Sequence, residues 1–113
     1  MKITLCGSTK FKKEFEEWNR KLTLAGHVVY SVSCFGHADN LEFTKEEKKR
    51  LDRIHSMKIL ESDYIFVLDI DNYIGESTQN EIEWALLNNK EVFYQSSDSD
   101  TMYLVRYYEY RAT

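Results

Sequence analysis

The sequence predicts a single α/β domain, residues 1–113, in which helices cover both faces of a four-stranded parallel sheet. Short apolar segments alternate with longer amphipathic segments along the chain, which is typical of successive βαβ units. Residues 64–68, Tyr-Ile-Phe-Val-Leu, are apolar at every position, as in a strand that is buried on both faces. Right-handed crossovers between parallel strands then favour the strand order 2-1-3-4.

The first half of the chain is predicted to contain two strands and two helices. The strands cover residues 2–6 and 27–32. Between them, apolar residues recur at steps of three and four, which predicts an amphipathic helix from Lys10 with a stop at Gly26. A loop over residues 33–43 follows, and then the second helix.

Polar residues mark where these two helices begin. Ser8 or Thr9 is a suitable N-cap for the first helix. Thr44 and Glu47 have the spacing of a capping box, which predicts that the second helix begins there and runs to about Glu61.

The second half of the chain continues the alternation. The third strand is followed by a helix over residues 77–89, a fourth strand over residues 91–95 and a final helix over residues 101–111. Together these elements predict a small flavodoxin-like three-layer sandwich. Its topological switch point lies between strands one and three, where ligands bind outside the carboxyl ends of the strands.

Composition excludes several classes of protein. A hydrophobic content of 42% and an aromatic content of 14% indicate a globular chain. The net charge of −4 does not favour a nucleic acid as partner. No apolar run is long enough to span a membrane and no signal peptide is indicated, so we expect a cytoplasmic protein. The two cysteines are expected to be free thiols.

Two loops are predicted to meet at the switch point. The first supplies a glycine and two hydroxyl side chains, and the second supplies carboxylates, a tyrosine and a helix N-terminus that can hold a phosphate or a sugar hydroxyl. The candidate residues are Gly7, Ser8 and Thr9 from the first loop and Asp69, Asp71, Tyr73, Gly75, Ser77 and Thr78 from the second. Their convergence predicts a site for a polar small molecule.

At these positions the chain resembles the nucleoside 2-deoxyribosyltransferase-like family, which includes the deoxynucleoside-monophosphate N-glycosidases. The resemblance lies in residues 5–8, Leu-Cys-Gly-Ser, in the strand that begins at Asp63, and in residues 77–85. The last segment, Ser-Thr-Gln-Asn-Glu-Ile-Glu-Trp-Ala, is similar to the family's Gly-x-x-x-Glu-x-Gly-x-Ala, with Ser77 and Glu83 where the glycines usually stand. The similarity extends from residue 2 to about residue 95.

The resemblance implies an N-glycosyl enzyme with Glu81 as nucleophile. The glutamate would attack the anomeric carbon of a 2′-deoxynucleoside or its monophosphate, and water or a second base would release the sugar from the ester intermediate. Asp69 or Asp71 would bind the sugar hydroxyls or steady Glu81. Residues of the two loops, namely Gly7, Ser8, Ser77 and Thr78, would hold the 5′ end. No cofactor is implied, and a homo-oligomer such as a dimer is expected.

The chain departs from the family at two positions. The family's aspartate that helps protonate the leaving base falls on His55, and the family's strand-one tyrosine falls on Thr4 or Leu5. Histidine suits the role of proton donor, because its ordinary pKa lies near neutrality. Tyr73 or Tyr30 is a candidate substitute for the missing tyrosine.

Several residues have a second interpretation that the sequence leaves open. Thr78 and Glu81 have capping-box spacing, so Glu81 is either a nucleophile or a helix cap. His55 is either a proton donor or a half-buried residue bonded to Asp52. Lys58 either binds an anion or extends from the helix edge to solvent.

The remaining histidines do not indicate a metal site. His37 belongs either to a lid over the crevice or to a solvent-exposed loop. Ligand sets drawn from His27, His37, His55 and the cysteines lack a recognisable spacing, so no metal site is predicted. The alternative to an enzyme is a non-catalytic module of the same fold that binds a nucleotide or a nucleotide-derived signal.

Overall fold

A computed structural model of the chain describes residues 1–108. The chain alternates strands and helices in this order: β1 (Lys2–Cys6), α1 (Lys12–Leu24), β2 (Val28–Tyr30), α2 (Lys45–Glu61), β3 (Tyr64–Val67), a 3₁₀ turn (Ile70–Asn72), α3 (Glu76–Leu87), β4 (Glu91–Tyr94) and α4 (Asp98–Val105). None of the helices in residues 1–108 is long and apolar enough to cross a membrane.

The sheet has the predicted order, β2-β1-β3-β4, and all three strand pairs are parallel. Ile3 pairs with Tyr64 and Cys6 with Val67, so the carboxyl ends of β1 and β3 lie side by side. The two central strands are buried along almost their whole length. The predicted flavodoxin-like sandwich is therefore confirmed.

The period of two along the strands divides the core between the two faces of the sheet. One face packs against α1 and α4. The buried residues on this side, from strands and helices together, are Ile3, Leu5, Phe15, Leu22, Tyr64, Phe66, Leu68 and Leu104. The other face packs against α2 and α3, and its buried residues are Cys6, Ile59, Ile65, Val67 and Ala85. Thr4 also faces α2, where its hydroxyl bonds with Ser62 and donates to the carbonyl of Lys58.

The first helix begins later than predicted. Helix α1 starts at Lys12, and neither Ser8 nor Thr9 caps it. The Ser8 hydroxyl accepts from the amide of Lys10, and the Thr9 hydroxyl accepts from the amide of His37. Both hydroxyls therefore accept hydrogen bonds from loop amides rather than from amides at the start of α1. The predicted stop is confirmed, because Gly26 has a positive φ of 97° and donates its amide to Thr23.

The second strand is shorter than the predicted span of residues 27–32. Strand β2 ends at Tyr30, because the next carbonyl, that of Ser31, accepts from the Lys58 ammonium at 2.7 Å. The same ammonium donates to the Ser33 hydroxyl at 3.0 Å. Lys58 thus holds the chain leaving β2 against α2, a structural contact that neither of its two predicted interpretations, anion binding or extension to solvent, included.

Helices α2 and α4 begin where side chains cap them. The predicted box of Thr44 and Glu47 forms, with reciprocal bonds of 3.1 and 2.9 Å. Helix α4 begins at Asp98, three residues earlier than predicted, because the Ser97 hydroxyl accepts from the amide of Asp100. The predicted end of this helix, at Arg111, lies outside the described residues.

Candidate active site

A cavity of about 400 Å³ opens at the carboxyl ends of β1 and β3. Its walls are the loop after β1, the loop after β2, the inner face of α2 and the start of α3. This volume lies in the range of small-molecule sites, and the position is the switch point that the strand order predicts.

Nine of the eleven predicted site residues line this cavity. They are Gly7, Ser8, Thr9, His55, Tyr73, Gly75, Ser77, Thr78 and Glu81. Gly7 allows the loop after β1 to lie close to β3, because its φ is +155° and a Cβ there would lie 3.2 Å from both Cβ and O of Leu68.

Asp69 and Asp71 are the two predicted site residues that do not line the cavity. Asp69 is buried, and its carboxylate accepts from the amide of Ser96 at 2.9 Å and from the Ser96 hydroxyl at 2.5 Å. Asp71 is exposed in the 3₁₀ turn with a positive φ of 53°. The structure therefore gives Asp69 a role in joining β3 to the turn after β4, and it does not bring either carboxylate to Glu81.

The position of Glu81 in α3 excludes one of its two interpretations. Gly75 is the N-cap, so the helix begins at Glu76 and Thr78 is already buried inside the first turn. Glu81 stands in the second turn and its side chain points into the cavity, where about 22% of it is exposed. No side-chain cap bond forms at this helix start, so the capping interpretation of Glu81 is wrong.

Three side chains from three elements meet at the floor of the cavity, where His55 and Glu81 line the cavity and Cys6 is fully buried behind them. The thiol of Cys6, at the end of β1, lies 3.4 Å from Nε2 of His55 on α2. The same nitrogen lies 3.7 Å from Oε2 of Glu81 on α3. The Cys6 sulfur and the Glu81 carboxylate lie within 4.8 Å of each other. The nucleophile candidate is thus held between an imidazole and a thiol.

Burial alters the ionisation of Glu81. It raises the pKa of this carboxyl from 4.5 to about 7, and the negative charge of Asp52 adds to the effect. The thiol of Cys6 and the ammonium of Lys48 act in the opposite direction. Such a shift in a cleft is typical of a functional carboxyl group.

Burial has the opposite effect on His55. It lowers the pKa of the imidazole from 6.5 to about 4, and the nearby charge of Lys58 contributes, while Asp52 opposes the change. The carboxylate of Asp52 bonds with Lys48 at 2.7 Å on the exposed surface of the helix. The predicted alternative, His55 bonded to Asp52, is therefore not what the structure shows, because His55 faces Cys6 and Glu81.

Cys6 is the site residue that sequence reasoning missed. Thr4 bonds with Ser62 and Leu5 lies in the core on the other face, so neither reaches Glu81. Cys6 is the next residue of β1 on the same face as Thr4, and it ends the strand at the cavity. The period of two in β1, combined with the end of the strand, was the signal that could have indicated it.

The two tyrosines that could substitute for the family's strand-one tyrosine have different positions. Tyr73 lines the cavity, and the ammonium of Lys10 lies 3.7 Å from the centre of its ring. Tyr30 ends β2 and is not among the lining residues. Tyr73 therefore connects the loop after β1 with the loop before α3, above the floor where Glu81 lies.

The loop after β2 forms the rim opposite Tyr73. Exposed His37 lines the cavity, and its amide donates to the hydroxyl of Thr9 at 3.3 Å. Asp39, in the same loop, forms an ion pair with Lys12 at 3.0 Å. The loop is thus attached to the start of α1 and bounds the cavity, although His37 itself remains exposed to solvent.

Comparisons with known proteins agree with this architecture. A 2-deoxyribosyltransferase of the psychrotolerant bacterium Bacillus psychrosaccharolyticus has a similar structure, with a TM-score of 0.65 and 21% identity over 83% of this chain and 71% of that chain. A CMP N-glycosidase of Clostridium botulinum gives a TM-score of 0.58 and 17% identity over 92% of this chain and 80% of that chain. No protein-family model and no curated protein matches the sequence. The chain therefore has the fold of these two enzymes, which is the fold that its resemblance to the nucleoside 2-deoxyribosyltransferase-like family implied.

Proposed function

We propose that the chain is an N-glycosyl enzyme that cleaves or exchanges the base of a 2′-deoxynucleoside or a deoxynucleoside monophosphate. The observation that carries this proposal is the placement of Glu81, whose partly buried carboxyl group faces a cavity of about 400 Å³ beside His55. The names of the two similar structures, a 2-deoxyribosyltransferase and a CMP N-glycosidase, support the same reaction class.

The first step forms a bond between Glu81 and the sugar. An oxygen of the ionised carboxylate attacks the anomeric carbon, and the bond from that carbon to the base nitrogen breaks with its electron pair on the base. The base then takes a proton from His55. The carboxylate loses its negative charge in this step, because one of its oxygen electron pairs forms the new ester bond.

The proton for this step is available within the site. Because Nε2 of His55 lies 3.7 Å from Oε2 of Glu81, a proton held by the carboxyl group can pass to the imidazole. The transfer makes Glu81 a nucleophile and His55 an acid at the same time, with no change in the total number of protons.

The second step reverses these roles. Water or another base attacks the anomeric carbon, and the ester bond to Glu81 breaks and returns the carboxylate. Neutral His55 can accept the proton that the attacking water or base releases. The nature of the acceptor determines whether the enzyme is a hydrolase or a transferase.

The start of α3 and the loop after β1 are suited to the 5′ end of the substrate. No side chain caps the first amides of α3, and its first residues line the cavity together with Gly75. Gly7 and Ser8 lie on the other side of the same cavity. A phosphate or a 5′-hydroxyl group placed there would accept hydrogen bonds from the helix N-terminus.

The experiment that tests the proposal is base release from a panel of deoxynucleosides and their 5′-monophosphates, with and without an added free base. We expect wild-type protein to release or exchange at least one base and Glu81→Gln to lose that activity. Glu83→Gln is the matched control, since Glu83 is exposed on the same helix. A folded wild-type protein with no activity on any member of the panel would count against catalysis.

The Glu81→Gln variant also separates the enzyme from a binding module. Under either function, a nucleotide that fits the cavity should raise the melting temperature of both wild-type protein and variant. Stabilisation without turnover in the wild type would favour the non-catalytic module.

A further inference from the structure

The thiol, imidazole and carboxyl groups at the cavity floor have the spacing of a metal site. One ligand atom from each of Cys6, His55 and Glu81 lies within 4.8 Å of the others. The Cys6 and His55 atoms are 3.4 Å apart, and the His55 and Glu81 atoms are 3.7 Å apart. Tetrahedral zinc with ordinary bond lengths places neighbouring ligand atoms roughly 3.3–3.8 Å apart. The separation of Cys6 from His55 and that of His55 from Glu81 therefore both agree with ligation of one ion.

The donor set also fits a borderline-soft divalent ion. Zinc takes sulfur, imidazole nitrogen and carboxylate oxygen, whereas magnesium and calcium take oxygen ligands. With three protein ligands the fourth position remains open, and here it would face the cavity that His55 and Glu81 line. An ion could therefore enter from the cavity and keep a water molecule on that side.

The surroundings hold the three side chains in place. Cys6 is fully buried at the end of a central strand, and His55 is 6% exposed on α2. The two helices pack against the same face of the sheet through Ile59 and Ala85. Because each ligand stands on a regular element, binding requires little rearrangement.

We propose that Cys6, His55 and Glu81 bind a divalent transition-metal ion of the zinc type at the floor of the cavity. A bound ion would occupy both the carboxylate and the imidazole, so the metal-bound protein would be unable to form the glycosyl ester. That consequence rests on the proposed function, whereas the binding itself does not.

This site differs from the ligand sets that spacing in the sequence excluded. His27 lies on the opposite face of the sheet with its Nε2 bonded to the carbonyl of Leu104, and His37 lies at the cavity rim. The proposed ligands come from one strand and two helices that are far apart in sequence, so no short motif could indicate them.

The test is titration of the purified, reduced protein with Co²⁺, followed by displacement with Zn²⁺. We expect one Co²⁺ per chain, with near-ultraviolet absorption from thiolate to cobalt and visible bands typical of four-coordinate cobalt. Cys6→Ser should remove the thiolate absorption and weaken Co²⁺ binding at least about tenfold. Cys34→Ser is the matched control, since Cys34 is the protein's other cysteine and lines the cavity but is not in the cluster. It should retain both signals.

A second variant covers the case in which Cys6→Ser does not fold. His55→Gln should keep the thiolate absorption at high Co²⁺ concentration but weaken binding at least about tenfold. Absence of thiolate absorption in the wild type at millimolar Co²⁺, or its loss in Cys34→Ser with retention in Cys6→Ser, would overturn the proposal. The titration needs no substrate, so its result is independent of whether base release is found.

Discussion

Nε2 of His55 lies 3.7 Å from Oε2 of Glu81, so each of these groups titrates in the presence of the other. The pKa of Glu81 is raised to about 7 and that of His55 is lowered to about 4, both chiefly by burial. The pair therefore holds one proton over the range between these two values. The reactive arrangement in our mechanism, carboxylate beside imidazolium, also contains one proton.

We expect the value of kcat/KM for base release to be highest between about pH 4 and pH 7. Above that range the pair loses its proton and the leaving base has no donor. Below it the pair gains a second proton and the nucleophile is neutralised. The measurement is the initial rate of base release as a function of pH. A rate that continues to rise well above pH 7 would show that Glu81 acts without a proton on His55.

Replacement of His55 by glutamine should lower kcat in a way that depends on the leaving base. For a base that must be protonated as it leaves, loss of the donor should lower kcat by about 10²–10⁴-fold. A deoxynucleoside with an N7-methylated purine already carries a positive charge on the base, so its rate should change little. Glu81→Gln should lower both rates, because both substrates need the nucleophile. Equal losses with the two substrates in His55→Gln would contradict a donor role.

Replacement of Glu81 by glutamine should stabilise the protein at alkaline pH. Since the pKa of Glu81 in the folded state is about 7, above its ordinary value of 4.5, the stability from this group is complete below pH 4.5 and is lost as pH rises through 7. The shift corresponds to about 3 kcal/mol in the free energy of unfolding at pH 8. Glutamine has no such loss.

Urea unfolding of wild-type protein and Glu81→Gln at pH 5 and pH 8 measures this effect. The stability gain of the variant should be large at pH 8 and small at pH 5. Glu83→Gln, at an exposed position of the same helix, should show no such dependence on pH. A gain for Glu81→Gln that is equal at the two pH values would contradict the raised pKa.

Asp69→Ala should destabilise the protein by about 1–3 kcal/mol, because it removes the two hydrogen bonds that Ser96 donates to the buried carboxylate. Asp71→Ala is the control, since Asp71 is exposed in the preceding turn. The measurement is the free energy of unfolding in urea at pH 7. An Asp69→Ala variant as stable as Asp71→Ala would show that the contact with Ser96 contributes nothing.

Hydrophobic periodicity was sufficient to predict the strands and helices, and the crossover and switch-point rules then predicted the strand order and the position of the cavity. The buried run of β3 and the helical face of α1 are local patterns, so each could be recognised without its partners. Helix starts were less predictable. The hydroxyl of Thr9 is suited to a cap, yet it bonds with the amide of His37, a residue that only the folded chain brings near.

The site itself was predicted in part. The switch-point rule placed Glu81 and the loop after β1 at one cavity, because the ends of parallel strands meet at one edge of the sheet. The rule could not predict that Asp69 does not line the cavity. The direction of its side chain depends on a hydrogen bond with Ser96, which follows the neighbouring strand β4. The rule also gave no reason to select Cys6, whose importance arises from its contacts with two helices. The dimer and the cytoplasmic location stay predictions.

The division of the core by the sheet has a consequence for how this protein could change. In residues 1–108 the larger buried cluster lies on the side of α1 and α4, away from the cavity, and the smaller one lies beneath it. Most of the buried apolar core therefore lies on one side of the sheet, and the candidate active site lies on the other. Selection for a new substrate could rework the α2 and α3 half while the other half continues to keep the chain folded.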